Sequence, residues 1–304
     1  MIGIIGSGNV GANTAFFLAE KGVDHVILYD IREGLAKGKA LDMMEAAPIR
    51  GYRTAIRGTD NLEEVLDADI IIYTAGVARK PGIKRDDLFK ENLPIVRTFA
   101  EQIKKPETIV IIVSEPVDVL TTVFTEVSNL AKNQILGLGG VLDATRLRFL
   151  IARELGVSME NVAAQVVGRH TDDMIPLQSY CCVSGMSIDN FLSPDQIKDL
   201  FEQTREAGHL IVEMAGRASA YYGPSAVAAE LAEAIMMDTG RVLSVSHVLS
   251  GEFGISNVAL SLPAVIGRTG IRRVVVPDLV GEQISALTRS AQIITQTIKE
   301  NGHA

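Results

Sequence analysis

Cysteine is nearly missing from the 304 residues: there are two, and they are neighbours, Cys181 and Cys182. Adjacent cysteines are badly spaced for a structural disulfide and too few to ligate zinc, so no disulfide framework and no metal site is expected and a reducing compartment fits best. Positive charge is also short. Lys and Arg number 29 against 37 Asp and Glu, a net charge of -8, and such a field repels nucleic acid and anionic membrane surfaces. An anionic ligand must therefore be met by a local basic pocket. No apolar run approaches the roughly 18 residues of a membrane-spanning helix, and Met1 to Gly11 carries no basic stretch, the first lysine being Lys21. These absences predict a cytoplasmic protein without a signal peptide, and with neither membrane nor nucleic acid as a partner. Low-complexity segments and free linkers are lacking as well.

What is present is a globular composition, 47 % hydrophobic and 22 % charged, long enough for two domains or one large one at roughly 150 residues each. Short apolar runs at Ile2 to Ile5, Val26 to Tyr29, Ile70 to Tyr73, Ile109 to Val113 and Ile135-Leu136 read as buried parallel strands. Between them Ala12 to Glu20, Leu35 to Met44, Leu88 to Ile103 and Val117 to Val127 have helical length and spacing, so the rhythm is a repeated βαβ. The expected fold is α/β, a Rossmann-type doubly wound parallel sheet over residues 1–142 followed by a mixed α/β substrate domain over 143–304. In that second half Val162 to Val167 reads as strand, Pro194 to Met237 as helical, and Leu279 to Lys299 as a closing helix. Ser193-Pro194-Asp195-Gln196 is a good helix start, with a capping Ser, Pro in the first turn and Gln three residues after the cap. Leu287, Ala291, Ile294 and Ile298 form an apolar stripe for core or a subunit interface.

Gly6-Ser7-Gly8-Asn9-Val10-Gly11 follows the first strand and opens the first helix. In that context glycines let backbone amides approach a pyrophosphate at a helix N-terminus. Asp30 ends the second strand, 19 residues after Gly11, where a carboxylate can accept from both hydroxyls of an adenine ribose and repel a 2′-phosphate. The pattern favours NAD over NADP, with Arg32 near enough to soften the preference. A glycine turn without a ligand is the plain alternative.

The loop from Ala75 to Asp87 follows a strand at the sheet edge where open α/β proteins bind ligands, and its Arg79 and Arg85 suit an anion. Asp143 and Arg146 are three residues apart, so on a helix they share one face. His170, at the end of a predicted strand, has an ordinary pKa close to neutrality, as proton exchange requires. Singly, each has a dull reading: a solvated face, a helix ion pair, a structural histidine.

Taken together and in this order, these segments, with Gly168 to Pro176 and Gly251-Glu252-Phe253-Gly254, resemble the lactate/malate dehydrogenase family over nearly the whole chain. The resemblance implies NAD-dependent, reversible interconversion of malate and oxaloacetate. His170 would exchange the hydroxyl proton and Asp143 would orient it. Arg146 would grip the carboxylate beside the reacting carbon, Arg85 would polarise the carbonyl, and Arg79 would meet the distal carboxylate of a dicarboxylate substrate. Gly6, Gly8, Asn9, Val10, Gly11, Asp30, Asn92 and Val113 would contact the cofactor, and the chain would form a homodimer or homotetramer. Arg79 favours oxaloacetate, because closing the loop over pyruvate would bury an unpaired guanidinium at about 3 to 5 kcal/mol. Two departures stand out. Ser114-Glu115-Pro116 carries Glu115 where the family has an asparagine that donates to the substrate oxygen, so Glu115 must be protonated, paired with an arginine such as Arg85, or turned away. Thr171 stands where glycine is usual and would be strained if that position needs a positive φ. A lactate-like 2-hydroxyacid dehydrogenase and a catalytically impaired dinucleotide-binding protein are the competing readings.

Overall fold

Isoleucine, leucine and valine crowd the runs at residues 2–5, 26–29, 70–73, 109–112 and 135–137, and side chains of that kind pack well on a pleated surface covered on both faces. The computed structural model, which describes residues 1–77, 88–216 and 219–301, folds all five as strands. The first half runs β1 (Ile2–Ile5), α1 (Asn9–Lys21), β2 (Val26–Tyr29), α2 (Leu35–Arg50), β3 (Ile56–Thr59), the single turn α3 (Glu63–Leu66), β4 (Ile70–Tyr73), α4 (Phe89–Ala100), β5 (Ile109–Ile112), α5 (Val117–Val127), β6 (Ile135–Gly137) and α6 (Gly139–Leu155). The second half has five two-residue strands, β7 (Val162–Ala163), β8 (Val166–Val167), β9 (Ile175–Pro176), β10 (Cys182–Val183) and β11 (Met186–Ser187). It continues with α7 (Pro194–Ala215), α8 (Tyr222–Met236), β12 (Arg241–Ser250), β13 (Ser256–Gly267), β14 (Gly270–Val274) and α9 (Gly281–Asn301).

Strands β3-β2-β1-β4-β5-β6 are parallel neighbours in that order, the doubly wound arrangement. The sheet does not stop there. Antiparallel β12, β13 and β14 join the β6 edge through the pair Ser246 and Gly137, making one nine-stranded sheet from both halves of the chain. Helix α6 runs across residues 142 and 143. Among the described residues no helix is long and apolar enough to cross a membrane.

Several boundaries differ from expectation for identifiable reasons. Helix α1 starts at Asn9 instead of Ala12, so the last glycine of the turn lies inside its first turn. Helix α2 continues past Met44 through Glu45, Ala46 and Ala47 and ends where Gly51, in the left-handed region, donates to the Ala47 carbonyl at 2.8 Å. Strand β3 has no apolar run to announce it: Ile-Arg-Gly-Thr is an edge strand, held by its pairing with β2. The capping box at Ser193 forms as its sequence implies. On α9, Leu287, Ala291 and Ile294 are buried within the chain's own core and Ile298 is partly buried against it, so the stripe packs chiefly as core.

Candidate active site

The glycine turn is shaped by contacts that only glycine permits. Gly6 has φ +93° and donates to the Tyr29 carbonyl at 2.8 Å, tying the end of β1 to β2. A Cβ on Gly11 would overlap the Gly6 carbonyl, so the first turn of α1 presses directly against the turn. Gly8, by contrast, faces open space. Helix α1 has no side-chain cap and no acidic residue in its first turn. Its uncapped amides therefore open on the cavity lined by Gly8, Asn9, Val10 and Gly11 and offer an anion site there.

Asp30 closes the other side of this turn. Its Oδ2 accepts from the Ser7 amide at 2.8 Å, and its Oδ1 accepts from the Arg32 amide at 3.0 Å and from Arg32 Nε at 3.2 Å. Burial alone would push this carboxyl up, but those three bonds and the guanidinium charge outweigh it and hold the group below the usual aspartate range. An ionised acceptor beside uncapped helix amides fits the ribose and pyrophosphate of a dinucleotide.

The cavity, about 440 Å³, is lined by the glycine turn, by Val113, Ser114 and Glu115, by Arg146 and His170, and by Ser219, Ala220 and Tyr221. His170 is brought there by the chain on both sides of it. Gly168, at φ +90°, exchanges two 2.9 Å backbone hydrogen bonds with Ser261 of β13, and Ser261 Oγ accepts from the Gly140 amide at 2.8 Å at the start of α6. Strand β13 thus fixes the histidine segment and the helix that carries Asp143. With both anchored, His170 Nδ1 lies 2.6 Å from Asp143 Oδ2 in a buried pair, and Arg146 Nη1 donates to Asp143 Oδ1 at 3.3 Å. A carboxylate on Nδ1 favours the tautomer with hydrogen there and leaves Nε2 to exchange a proton with a ligand.

Glu115 is not turned away from the site. Its Oε1 lies 3.6 Å from His170 Nε2, so the imidazole has a carboxylate on each side. Thr171 carries no backbone strain: it does not adopt a positive φ, its amide donates to the Arg169 carbonyl at 2.8 Å, and its hydroxyl bonds Asp173. Asn92 lies beneath the cavity wall, its Oδ1 accepting from the Val77 amide and its Nδ2 donating to the Glu115 carbonyl, both at 2.7 Å. It braces two segments that line the cavity. Arg79 and Arg85 lie outside the described residues.

Asp118 is the residue that sequence reading missed. Its Oδ2 accepts from the His170 amide at 2.7 Å and its Oδ1 from Ser246 Oγ at 2.6 Å, linking α5, the histidine segment and β12. The available signal was an acidic residue in the first turn of a helix otherwise apolar and buried there.

An imidazole paired with a buried carboxylate, lining the same cavity as a glycine turn fit for a dinucleotide, suits a dinucleotide-dependent oxidoreductase. Comparison with known proteins narrows that class. Residues 1–137 match the NAD binding domain of lactate/malate dehydrogenases, and residues 140–304 match their alpha/beta C-terminal domain. The chain belongs to the lactate/malate dehydrogenase family. It is 43 % identical over 301 residues to the malate dehydrogenase of Chlorobium phaeobacteroides, covering 98 % of this chain and 97 % of that one. Its fold superposes on the crystal structure of Cryptosporidium parvum malate dehydrogenase with a TM-score of 0.97 at 35 % identity, covering 100 % and 99 % of the two chains. The lactate dehydrogenase of the same organism, solved with lactic acid and nicotinamide adenine dinucleotide, gives 0.95 at 31 % identity, covering 100 % and 98 %.

Burial pushes the Asp118 carboxyl up to about 6, against the hydrogen bonds from Ser246 and the His170 amide and the charges of His170 and Arg169. A folded-state value above the ordinary one means that folding favours the protonated form. Its stabilisation is full below about pH 4 and is lost as pH rises through about 6. Asn at this position mimics the protonated group, accepting from the His170 amide and donating to Ser246. The stability of Asp118→Asn relative to the parent should therefore improve by on the order of 1 to 3 kcal/mol between about pH 4 and about pH 7. Urea unfolding at both pH values checks this, and a difference moving the other way would contradict it.

Proposed function

We propose that this chain is an NAD-dependent malate dehydrogenase, interconverting malate and oxaloacetate. The observation that carries the mechanism is the 2.6 Å contact between His170 Nδ1 and Asp143, with the imidazole on the wall of the dinucleotide cavity. Bound NAD supplies the two-electron acceptor for the hydrogen on C2 of malate. As that hydrogen leaves with its electron pair, the C2 hydroxyl gives its proton to His170 Nε2, and Asp143 stabilises the resulting imidazolium. In the reverse direction the imidazolium returns the proton to the carbonyl oxygen of oxaloacetate.

Arg146, three residues after Asp143 and also on the cavity wall, holds the carboxylate beside C2, while Arg79 and Arg85 remain the expected partners of the distal carboxylate and the carbonyl. Gly8, Asn9, Val10, Gly11, Asp30 and Val113 serve the cofactor, with Gly6 shaping the turn and Asn92 bracing the cavity wall from behind, in a division of labour between residues 1–142 and residues 143–304. A homodimer or homotetramer accords with the apolar surface that Leu210, Ile211 and Met214 present on α7, Met214 being 79 % exposed. The cytoplasm accords with two free cysteines, of which buried Cys181 has its thiol pushed up to about 12 by burial.

Loss of NADH absorbance with oxaloacetate, pyruvate or no ketoacid tests the reading. Oxaloacetate should be reduced with kcat/KM at least about a hundredfold above pyruvate. Equal rates, or turnover with pyruvate alone, would contradict the assignment to malate.

Glu115 places a carboxylate 3.6 Å from the proton-exchanging nitrogen, in the path of a dianionic substrate. Glu115→Asn removes that repulsion and provides a donor, so oxaloacetate turnover should rise by about three- to tenfold in steady-state assays. Unchanged or lower activity would show that Glu115 is no handicap.

A further inference from the structure

The ribose end of the nucleotide site sets two cations near Asp30. Asp30 accepts from Arg32 Nε at 3.2 Å, yet the Arg32 side chain is 68 % exposed, so the guanidinium stands at the mouth of the site. Across the mouth, Lys39 on α2 brings Nζ to 3.4 Å from the Gly8 carbonyl, over the glycine turn. It feels the charges of both Arg32 and Asp30. Two further acids stand nearby: Asp60, after β3, pairs with Lys37 and accepts from the Gly34 amide, and Glu33, on the turn into α2, acts on Lys37. Arg32 and Lys39 therefore both stand within electrostatic reach of Asp30, in a chain whose net charge is -8.

We propose that this site also takes the 2′-phosphorylated dinucleotide, NADP(H), with Arg32 and Lys39 as the phosphate ligands. The inference rests on the nucleotide-site reading above. A carboxylate that accepts from the ribose hydroxyls lies next to whatever the 2′-oxygen carries. Arg32 is already bonded to that carboxylate, so it offsets the repulsion Asp30 would exert on a phosphate and offers its remaining guanidinium donors to the phosphate oxygens. Lys39 is a second point charge, over the glycine turn and within electrostatic reach of Arg32 and Asp30. Its ammonium is pushed down, first by burial and then by the neighbouring guanidinium, and an anion placed beside it would favour the charged form. NADH keeps its advantage, because both ribose hydroxyls can bond Asp30.

Binding measurements separate the 2′-phosphate from the rest of the cofactor. Titrating the whole protein calorimetrically with 5′-AMP and with adenosine 2′,5′-bisphosphate, and by fluorescence with NADH and NADPH, should give 2′-phosphorylated ligands that bind within about thirtyfold of their partners. Arg32→Ser should widen that ratio about tenfold and Lys39→Gln about fivefold, in both ligand pairs. High salt should weaken NADPH more steeply than NADH. A parent protein that binds 5′-AMP and NADH yet discriminates by more than thirtyfold would overturn the proposal, as would an Arg32→Ser variant that weakens both ligand types alike. A parent that binds none of the four would overturn the nucleotide-site reading and this inference with it.

Discussion

A buried hydrogen bond of 2.6 Å between His170 and Asp143 is the constraint around which this molecule is arranged. A carboxylate removed from water is costly unless its charge is met, and Asp143 is met twice, by the imidazole and by Arg146 at 3.3 Å. In the proposed mechanism those same contacts serve the chemistry, since a carboxylate on Nδ1 favours the tautomer that keeps its hydrogen there. Separating the pair would leave both the charge and the ring without function.

The fold supplies that geometry from distant parts of the chain. Ser261 of β13 anchors Gly168 on one side and Gly140 on the other, while Asp118 ties the His170 amide to Ser246 of β12. Every one of these ties depends on β12 and β13 extending the parallel sheet. Without the pairing of Ser246 and Gly137, the histidine segment and the start of α6 would lose their common support. The extended sheet is thus the device by which the second half of the chain completes a site begun by the first.

Much of this was legible in the sequence because central parallel strands are covered on both faces and must be continuously apolar, as Ile70 to Tyr73 is. The shape of the glycine turn and the place of Asp30 at the end of β2 were legible for a different reason: their geometry is local, set within one βαβ unit. Strand β3 was not, since Arg57 and Gly58 interrupt its apolar pattern, Gly58 lying where the backbone of α2 packs directly on the strand. Asp118 was hidden because its partners lie 52 and 128 residues away, a relation that no local pattern encodes. Thr171 looked strained only on the assumption of a positive φ, which the turn at Arg169 avoids.

Glu115 makes the site unusual, because a second carboxylate beside the imidazole changes the electrostatic setting without disturbing the pair behind it. The central claim concerns that pair. It is tested most directly by kcat/KM for malate oxidation across pH in Asp143→Asn, with NADH affinity measured alongside. The account predicts a loss of about a hundredfold or more with NADH binding retained, because the amide no longer favours the working tautomer or stabilises the imidazolium. Activity within a few-fold of the parent, with the same pH profile, would contradict it.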